Sequence, residues 1–291
     1  MKLAEYEEIR AHITSLPSDV FPDADALRAK HPSASLDALV SIYSQESSRR
    51  VRGAHGKHLR AIGSHAARYV AGEDVFRIAA DIDFPPCQLV RLLLEHLLGL
   101  GHKAVGPCLR DPFGKIPSSP PPESPAARGV PGVPGVPGSA ICDRLKVDVE
   151  RCVAWDHVAS PAVDVMRHAA GREYEILLER RLEELRVPFV TEDALRAEGH
   201  AKTPDVKLTL PIAVNGRIVN WIDSKASFLD PIVHVERGVD QFQGYVNRFG
   251  PGMVIYWLGV IDELAEESDG DVFIVDDFPG DMEITKLKLM E

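Results

Sequence analysis

The clearest pattern of apolar and polar positions lies over residues 203–225, TPDVKLTLPIAVNGRIVNWIDSK. Two apolar-alternating runs flank Asn215-Gly216, the dipeptide that most strongly predicts a hairpin with a type I′ turn. Asp205 stands where the first strand begins, and Asp223 and Lys225 stand near the end of the second. Because a hairpin folds its ends together, we expect the two carboxylates and the lysine at one end of the sheet. Such a group is typical of a metal site with a cation beside it.

A plain two-residue turn gives this hairpin a register that separates the predicted site residues. It pairs Val206 with Lys225, and because cross-strand partners share a face, Asp205 points to the opposite side. A one-residue slip reverses the faces of a strand, and Pro211 interrupts the first strand where a bulge is expected. Either a bulge restores the parity, or Asp205 reaches the site from just before the strand.

The elements around the hairpin follow the order helix, three strands, helix, strand. The periodicity predicts helices over 143–157, 162–186 and 236–249, a short strand over 187–190, and strands over 253–261 and 271–278. We therefore expect an α+β or α/β fold with a mixed sheet, preceded by an all-helical N-terminal region.

One carboxylate falls on an apolar stripe of the helix predicted over 162–186. Glu175 shares a face with Leu178, Leu182 and Leu185. A carboxylate in that position is costly unless it has a partner. The partner is either a metal ion or a nearby arginine.

The N-terminal half predicts helices only. An amphipathic helix over 75–82, a turn over 83–86 and a second helix over 87–98 have the layout of a DNA-reading helix-turn-helix. In that layout Gln88 and Arg91 are the exposed candidates for contact. An ordinary helical hairpin has the same pattern, and both interpretations stay open.

Residues 115–140 have a different composition, with GVPGVPGVPG over 129–138. Glycine recurs every third residue, but the triplets are too few for a collagen helix. The stretch predicts a disordered or extended linker or insertion. The chain then divides into a helical, nucleic-acid-binding region over 1–114, the linker over 115–140, and a C-terminal domain over 141–291.

The net charge of −11 argues against a nucleic-acid partner, but the charge is unevenly spread. No acidic residue occurs from Ser47 to Gly72. A local basic patch matters more for phosphate binding than the total charge, although a solvated helical face explains the stretch equally well. The candidate phosphate contacts are Arg49, Arg50, Arg52, Lys57, His58 and Arg60.

The composition is that of a soluble globular protein with enough length for a large core. No apolar run is long enough to cross a membrane, and the first residues lack the apolar core of a signal peptide. The four cysteines show no paired CxxC spacing, which favours a reducing, intracellular compartment.

Four short motifs give the chain a resemblance to known nucleases. They are GxxxE at Gly171 and Glu175, PD at Pro204-Asp205, DxK at Asp223-Ser224-Lys225, and QxxxY at Gln241 and Tyr245. In this order they resemble the PD-(D/E)xK nucleases, RecB-like enzymes among them, whose core has the order αβββαβ. The segments TPD, SKASF and NRFGPGMVIYW are similar to the codanin-interacting nuclease family. That family resembles archaeal Holliday-junction resolvases and carries helix-turn-helix modules in front of its nuclease half.

The resemblance implies a Mg²⁺-dependent endodeoxyribonuclease, with Mn²⁺ as a substitute, acting on DNA and on structured or branched DNA in particular. The implied metal ligands are Glu175, Asp205, Asp223 and the carbonyl of Ser224. Lys225 would position or deprotonate the attacking water, and Gln241 and Tyr245 would orient the lysine or a phosphate. Asp223 departs from the family pattern, because relatives usually carry Glu there.

The resemblance also implies a codanin-like protein partner and residence in nucleus and cytoplasm, and it leaves the oligomeric state open, a dimer included. The alternative function is a catalytically inactive adaptor that keeps the nuclease fold and binds nucleic acid and a protein. Intact Glu175, Asp205, Asp223 and Lys225 favour the enzyme, since a retired site has no chemical reason to keep all four.

Overall fold

The computed structural model describes residues 1–17, 22–133, 135–237, 241–266 and 270–286. The chain forms two compact units, each assembled from separate stretches of sequence. The sheet unit comprises Met1–Ala11, Ala24–Ile42 and Arg167–Glu291, and the helical unit comprises His12–Asp23 and Tyr43–Met166. These units differ from the domains predicted at 1–114 and 141–291.

Helices make up most of the described chain and are numbered in chain order. They are α1 (Leu3–Ser15), α2 (Ala24–Lys30), α3 (Leu36–Arg60), α4 (Ile62–Val70), α5 (Val75–Asp81), α6 (Pro86–Leu98), α7 (His102–Arg110), α8 (Pro112–Lys115), α9 (Pro125–Arg128), α10 (Gly138–Trp155), α11 (Pro161–Glu184), α12 (Glu192–Ala197), α13 (Pro231–Arg237), α14 (Gln243–Phe249) and α15 (Asp262–Glu266). None of these described helices is both long and apolar enough to span a lipid bilayer.

The strands of the described residues form one mixed sheet. They are β1 (Phe189–Thr191), β2 (Val206–Val214), β3 (Arg217–Lys225), β4 (Gly252–Tyr256), β5 (Val272–Val275) and β6 (Ile284–Lys286). The sheet order is β1-β2-β3-β4-β5, with β6 beside β2. Strands β1, β2, β3 and β6 pair antiparallel, and β4 and β5 add in parallel. The prediction of a helical N-terminal region followed by a mixed sheet is confirmed.

Apolar side chains cover both faces of this sheet. Successive strand residues alternate in direction, so β4 is buried from Gly252 to Tyr256, as its continuous apolar run predicts. On one face Leu178 and Leu182 of α11 pack with the strands. On the other face Trp221 of β3 packs against Tyr245 of α14 and against Phe242, which directly precedes that helix. The single helix predicted over 236–249 is found as α13 and α14, and residues 238–240 lie outside the described part.

The core of the helical unit is built around α6. Nearly every apolar residue of this helix is buried, from Leu89 to Leu98. Helices α5 and α6 lie where the sequence predicts them, but Gln88 and Arg91 are half-buried rather than exposed. The Nε of Arg91 is buried and has no hydrogen-bond partner among the described residues. Because most of α6 faces the core, few of its side chains are exposed and able to contact a ligand. DNA binding by the α5–α6 pair stays a prediction.

The segment predicted as a free linker packs into the same core. Ile116, Ala126 and Val130 are buried there, and Val130 bridges to Val133. Gly129 and Gly132 adopt φ of 94° and 82°. Glycine tolerates these values and proline fixes its own φ, so the repeat turns back on itself and is neither disordered nor extended. Residue 134 lies outside the described part.

Helix α10 also belongs to the helical unit, although the sequence places it with the C-terminal domain. Its Ile141, Leu145 and Val149 are buried in the core that contains α6. The boundary predicted at residue 141 therefore falls inside one packed unit, because the apolar stripe of α10 has its complement in the helices that precede it.

Candidate active site

The β2–β3 hairpin turns at Asn215-Gly216 as predicted. The φ angles are 50° at Asn215 and 79° at Gly216. Positive φ at both central residues is the requirement of a type I′ turn, which Asn-Gly satisfies at low cost. The turn is followed by regular pairing of Val214 with Arg217 and of Ile212 with Val219.

A bulge between Lys207 and Ile212 then changes the register of the hairpin. Beyond it Val206 lies opposite Ile222, whereas the plain turn register would place it opposite Lys225. The shift of three positions is odd, so it reverses the face of everything that precedes the bulge on β2. Pro211 lies in the shifted segment, as expected of a residue that cannot donate to the ladder. The predicted bulge is confirmed, and it directs Asp205 toward Asp223.

Asp205 and Asp223 meet at the end of this hairpin. The Oδ2 of Asp205 accepts a hydrogen bond of 2.6 Å from the backbone N–H of Ser224. The bond ties the PD segment to the middle of the DxK segment across the strand pair. The Asp205 carbonyl in turn accepts the Glu192 N–H at 2.9 Å. Asp205 is therefore held from both its side chain and its backbone.

Asp223 and Lys225 share one face of β3 and form an ion pair. Asp223 is 1% exposed, and within the described part of the chain its Oδ2 has no hydrogen bond apart from this ion pair. A buried charge is stable only when it is paired. The lysine supplies one positive charge to a place that holds more than one carboxylate.

The two aspartates repel each other inside the protein. The pKa of the Asp205 carboxyl is raised to about 8, first by burial and next by the charge of Asp223. Lys225 and the Ser224 N–H oppose the shift, and Glu175 adds to it. A cation at this position would remove the repulsion.

Tyr245 and Gln241 reach the same place from α14 and the residues before it. Gln241 Nε2 donates to the Tyr245 hydroxyl at 2.9 Å. Burial raises the pKa of Tyr245 above its usual range, and the charges of Asp223 and Asp205 add to the shift. The tyrosine ring also packs edge-on to Trp221, with centroids 5.2 Å apart. The hydroxyl is thus fixed near the carboxylates.

Glu175 lies at the edge of the site. Leu178 and Leu182 of its stripe are fully buried, as predicted, whereas the Glu175 side chain is 34% exposed. Its Oε2 accepts a hydrogen bond of 2.9 Å from Arg172. The arginine partner is therefore present. The negative charge of Glu175 still acts on Asp205.

The donor set fits a hard divalent cation with two carboxylates at its centre. Oxygen ligands suit Mg²⁺, which keeps several waters and takes one or two protein carboxylates. Asp205 and Asp223 supply these, with the Ser224 carbonyl between the motif residues. Among the described residues no group of three His, Cys, Asp or Glu side chains is gathered around one metal position.

Glu192 and Thr203 also belong to the surroundings of the site, although no motif in the sequence marks them as site residues. Thr203 is buried and its hydroxyl donates to Glu192 Oε1 at 3.1 Å, and Arg196 donates to the same oxygen at 2.7 Å. The charge of Glu192 contributes to the raised pKa of Tyr245. The threonine of the TPD segment therefore orients an acidic residue near the site. Only the position of the threonine directly before Pro204-Asp205 could have suggested this.

The basic stretch belongs to α3 in the helical unit. Arg52, Lys57 and Arg60 are exposed there. Arg49 pairs with Glu46, and Arg50 donates to the carbonyls of Leu16 and Thr14 at 3.1 and 2.7 Å. The candidate contacts thus divide into three exposed cations and two that already have protein partners.

The expectation that His58 lies at the surface is wrong. His58 is 2% exposed, and its ring lies 4.5 Å from that of Phe84, measured between centroids. Its Nδ1 lies 3.4 Å from Nε2 of His65, which is buried as well. A basic composition does not show which side of a helix packs inward, and His58 lies on that side.

Comparison with known proteins identifies relatives along almost the whole chain. A family profile described as "Protein of unknown function TPD sequence-motif" matches residues 141–278. CDAN1-interacting nuclease 1 of Xenopus tropicalis is 36% identical over 289 residues, which cover 95% of this chain and 88% of the relative. The protein of that name from Mus musculus is 35% identical, covering 96% and 95% of the two chains. The Homo sapiens protein is 35% identical, covering 95% and 94%.

No solved structure matches the chain significantly. The identity and coverage of the named relatives are sufficient to assign the family. The chain belongs to the CDAN1-interacting nuclease 1 family.

Proposed function

We propose that the chain is a metal-dependent nuclease of the PD-(D/E)xK type that hydrolyses phosphodiester bonds in DNA, including structured or branched DNA. Its relatives are named nucleases. The observation that carries the proposal is the meeting of Asp205, Asp223 and Lys225 at one end of the hairpin. Two mutually repelling carboxylates, the buried Asp223 and the half-buried Asp205, lie beside a lysine and are suited to hold a cation.

The proposed ligands of Mg²⁺, or of Mn²⁺ as a substitute, are Asp205, Asp223 and the Ser224 carbonyl. Glu175 would contribute to metal binding from the edge of the site. A bound divalent cation neutralises an anionic phosphodiester and lowers the pKa of a water that it binds. The carboxylates are already fixed by the Ser224 N–H and by Lys225. The site therefore needs little reorganisation when the reaction takes place.

Lys225 keeps its ammonium against Asp223 instead of extending it into water. In this position it would hold the attacking water and offset the negative charge that develops on the phosphate. The Tyr245 hydroxyl, tied to Gln241, would orient a phosphate oxygen. Arg52, Lys57 and Arg60 on α3 would bind the DNA backbone, which requires cations and no particular sequence.

The names of these relatives also describe an interaction with CDAN1. We propose a codanin-like protein partner for this chain as well. Binding of the purified chain to such a partner, with and without DNA, would test whether the two ligands compete.

The decisive experiment is cleavage of labelled DNA by the purified chain with Mg²⁺ or Mn²⁺. The panel holds single-stranded, duplex, flap and four-way substrates of equal length. We expect cleavage that requires the metal and that disappears in Asp205→Asn. Asp271→Asn, an exposed carboxylate outside the site, is the matched control. If the parent cleaves nothing while it binds DNA and the partner, the chain is an adaptor with a retained nuclease fold.

A further inference from the structure

The candidate metal ligand Asp205 lies in a loop, directly before the strand that follows it. Helix α12 ends at Ala197 and β2 begins at Val206, so residues 198–205 belong to neither element. Pro204 is buried within this loop and has no N–H to donate. The position of the Asp205 carboxylate therefore depends on hydrogen bonds made by the residues around Pro204.

Glu192, the first residue of α12, holds the loop on both sides of Pro204. Its backbone N–H donates to the Asp205 carbonyl at 2.9 Å. Its Oε1 accepts a hydrogen bond of 3.1 Å from the hydroxyl of the buried Thr203. A proline disfavours the helical conformation in the residue before it, which favours an extended Thr203. Together these contacts fix the direction in which the chain enters β2.

Arg196 fixes the Glu192 carboxylate from one turn further along α12. It donates to the same Oε1 at 2.7 Å, and side chains four residues apart are neighbours on a helix. A hydrogen bond to a charged acceptor is stronger than one between neutral groups. The Thr203 hydroxyl therefore has a strong and immobile partner, which a valine of similar shape could not use.

Arg248 of α14 holds the same loop at its earlier residues. Its Nη1 donates to the carbonyls of Ala201 and Lys202, the second at 2.9 Å. Lys202 has a φ of 58°, in the left-handed region that residues other than glycine adopt rarely. Such a conformation persists only where surrounding contacts hold it, and it is frequent at functional sites. The helix that carries Tyr245 thus also fixes the segment that leads to Asp205.

We propose that Thr203 and Arg248 are positioning residues that hold Asp205 in the orientation in which it meets Asp223. The inference rests on the proposed nuclease function and assigns part of its metal affinity to the loop over 201–205. Residues that hold a metal ligand through hydrogen bonds typically contribute about 10- to 100-fold in metal affinity or activity. The bond from the Ser224 N–H to Asp205 Oδ2 reports the orientation directly.

The first test measures the affinity of the full chain for Mg²⁺ or Mn²⁺ by calorimetry, without DNA. Thr203→Val keeps the shape of the side chain and removes the hydroxyl. It is expected to weaken metal binding about tenfold, the low end of the range for such residues. Thr203→Ser retains the hydroxyl and is expected to restore most of the affinity. Thr209→Val, at an exposed position of β2, is the matched control and is expected to bind as the parent does.

Hydrogen exchange of the Ser224 amide is a second readout, and it needs no metal. This N–H is protected by Asp205 Oδ2, so a displaced Asp205 lets it exchange faster. Faster exchange is expected in Thr203→Val and in Arg248→Met. Parental exchange is expected in Thr203→Ser and in Arg180→Met, which alters an exposed arginine of α11. The amides of β4 should keep their protection in every variant, which separates a local displacement from a general loss of stability.

The two readouts separate this inference from the proposed function. If the parent binds metal and cleaves DNA, while Thr203→Val and Arg248→Met keep parental metal affinity and Ser224 exchange, the positioning inference is wrong and the nuclease function stands. If the parent binds no metal and cleaves nothing, while both variants expose the Ser224 amide, the nuclease function is wrong and the positioning of Asp205 stands. Equal losses in Thr203→Val and Thr203→Ser overturn the role of the hydroxyl.

Discussion

Both units of the molecule bury aspartates, and Asp148 of the helical unit and Asp223 of the sheet unit differ in their surroundings. In the helical unit Asp148 is 4% exposed and accepts hydrogen bonds from Tyr69 at 2.9 Å and from Arg151 at 2.8 Å. Arg144 lies 3.3 Å from the same carboxylate. In the sheet unit Asp223 is 1% exposed, pairs with a lysine and faces a second carboxylate.

The difference separates a structural charge from a functional one. Asp148 has cations and a hydroxyl that satisfy it, so its burial stabilises the helical core. Asp223 faces a second carboxylate, Asp205, whose pKa is raised first by burial and next by the charge of Asp223. Buried groups whose partners are incomplete are more informative about function than burial itself.

The largest effect on stability is expected from Asp148→Ala. The change leaves the buried Tyr69 hydroxyl without its acceptor, which typically costs about 1–3 kcal/mol, whereas the half-exposed Arg151 keeps its hydrogen bonds to Asp74. Urea denaturation should show this loss in the free energy of unfolding. Glu150→Ala, on the same helix but exposed, should change stability by less than about 0.5 kcal/mol. A small loss at Asp148 would remove the contrast with Asp223.

Lys225→Met tests the functional side of the comparison. The side-chain length is kept and the charge removed, so turnover should fall about 10²- to 10³-fold, as when one preorganised electrostatic group is lost. Metal affinity should persist or rise, because a competing cation is gone. Calorimetry with Mg²⁺ and cleavage rates measure the two effects separately. Parental cleavage with the metal bound would show that Lys225 has no catalytic role.

The buried histidine pair should make the helical unit sensitive to acid. Burial lowers the pKa of both His58 and His65 below the usual 6.5. The unfolded chain then binds more protons as pH falls through 6.5, so stability is kept above that value and lost below it. The slope is at most about 1.4 kcal/mol per pH unit for each proton. Chemical denaturation at neutral and acidic pH measures it, and His58→Phe should flatten the slope.

The smallest effect concerns the exposed cations of α3. Replacing Arg52, Lys57 and Arg60 by alanine should weaken DNA binding and lower its salt slope by about one for each phosphate that is no longer neutralised. Arg50→Ala removes hydrogen bonds to Thr14 and Leu16 and should reduce stability instead. Binding titrations across salt concentrations distinguish the two. An unchanged slope in the triple variant would assign the stretch to a solvated face.

The sequence predicts best where a feature is local. Asn215-Gly216 specifies its own turn, and Pro211 marks the bulge that gives Asp205 its direction. Three of the predicted site residues, Asp205, Asp223 and Lys225, are thereby brought together from a single hairpin. The candidate site could be predicted from the sequence because one short segment contains most of its residues.

Features that depend on contacts between residues far apart in the sequence could not be predicted in the same way. Glu192 reaches the site because β1 pairs with β2, and no local pattern signals that pairing. The Pro/Gly segment has the composition of a linker, yet Ile116, Ala126 and Val130 find a core to enter. His58 lies among cations in sequence and against Phe84 in space. In each case the deciding interaction comes from another element.

The bulge in β2 also makes the hairpin tolerant of change. On the turn side, β2 is anchored by β6, with Val214 opposite Ile284. On the site side it is anchored by β1, with Val206 opposite Thr191. The irregular stretch between these anchors separates the register of the turn side from the register of the site side. Insertions at the tip can be absorbed there. The loss of one residue from this stretch would instead rotate Asp205 away from Asp223 while leaving both anchors intact.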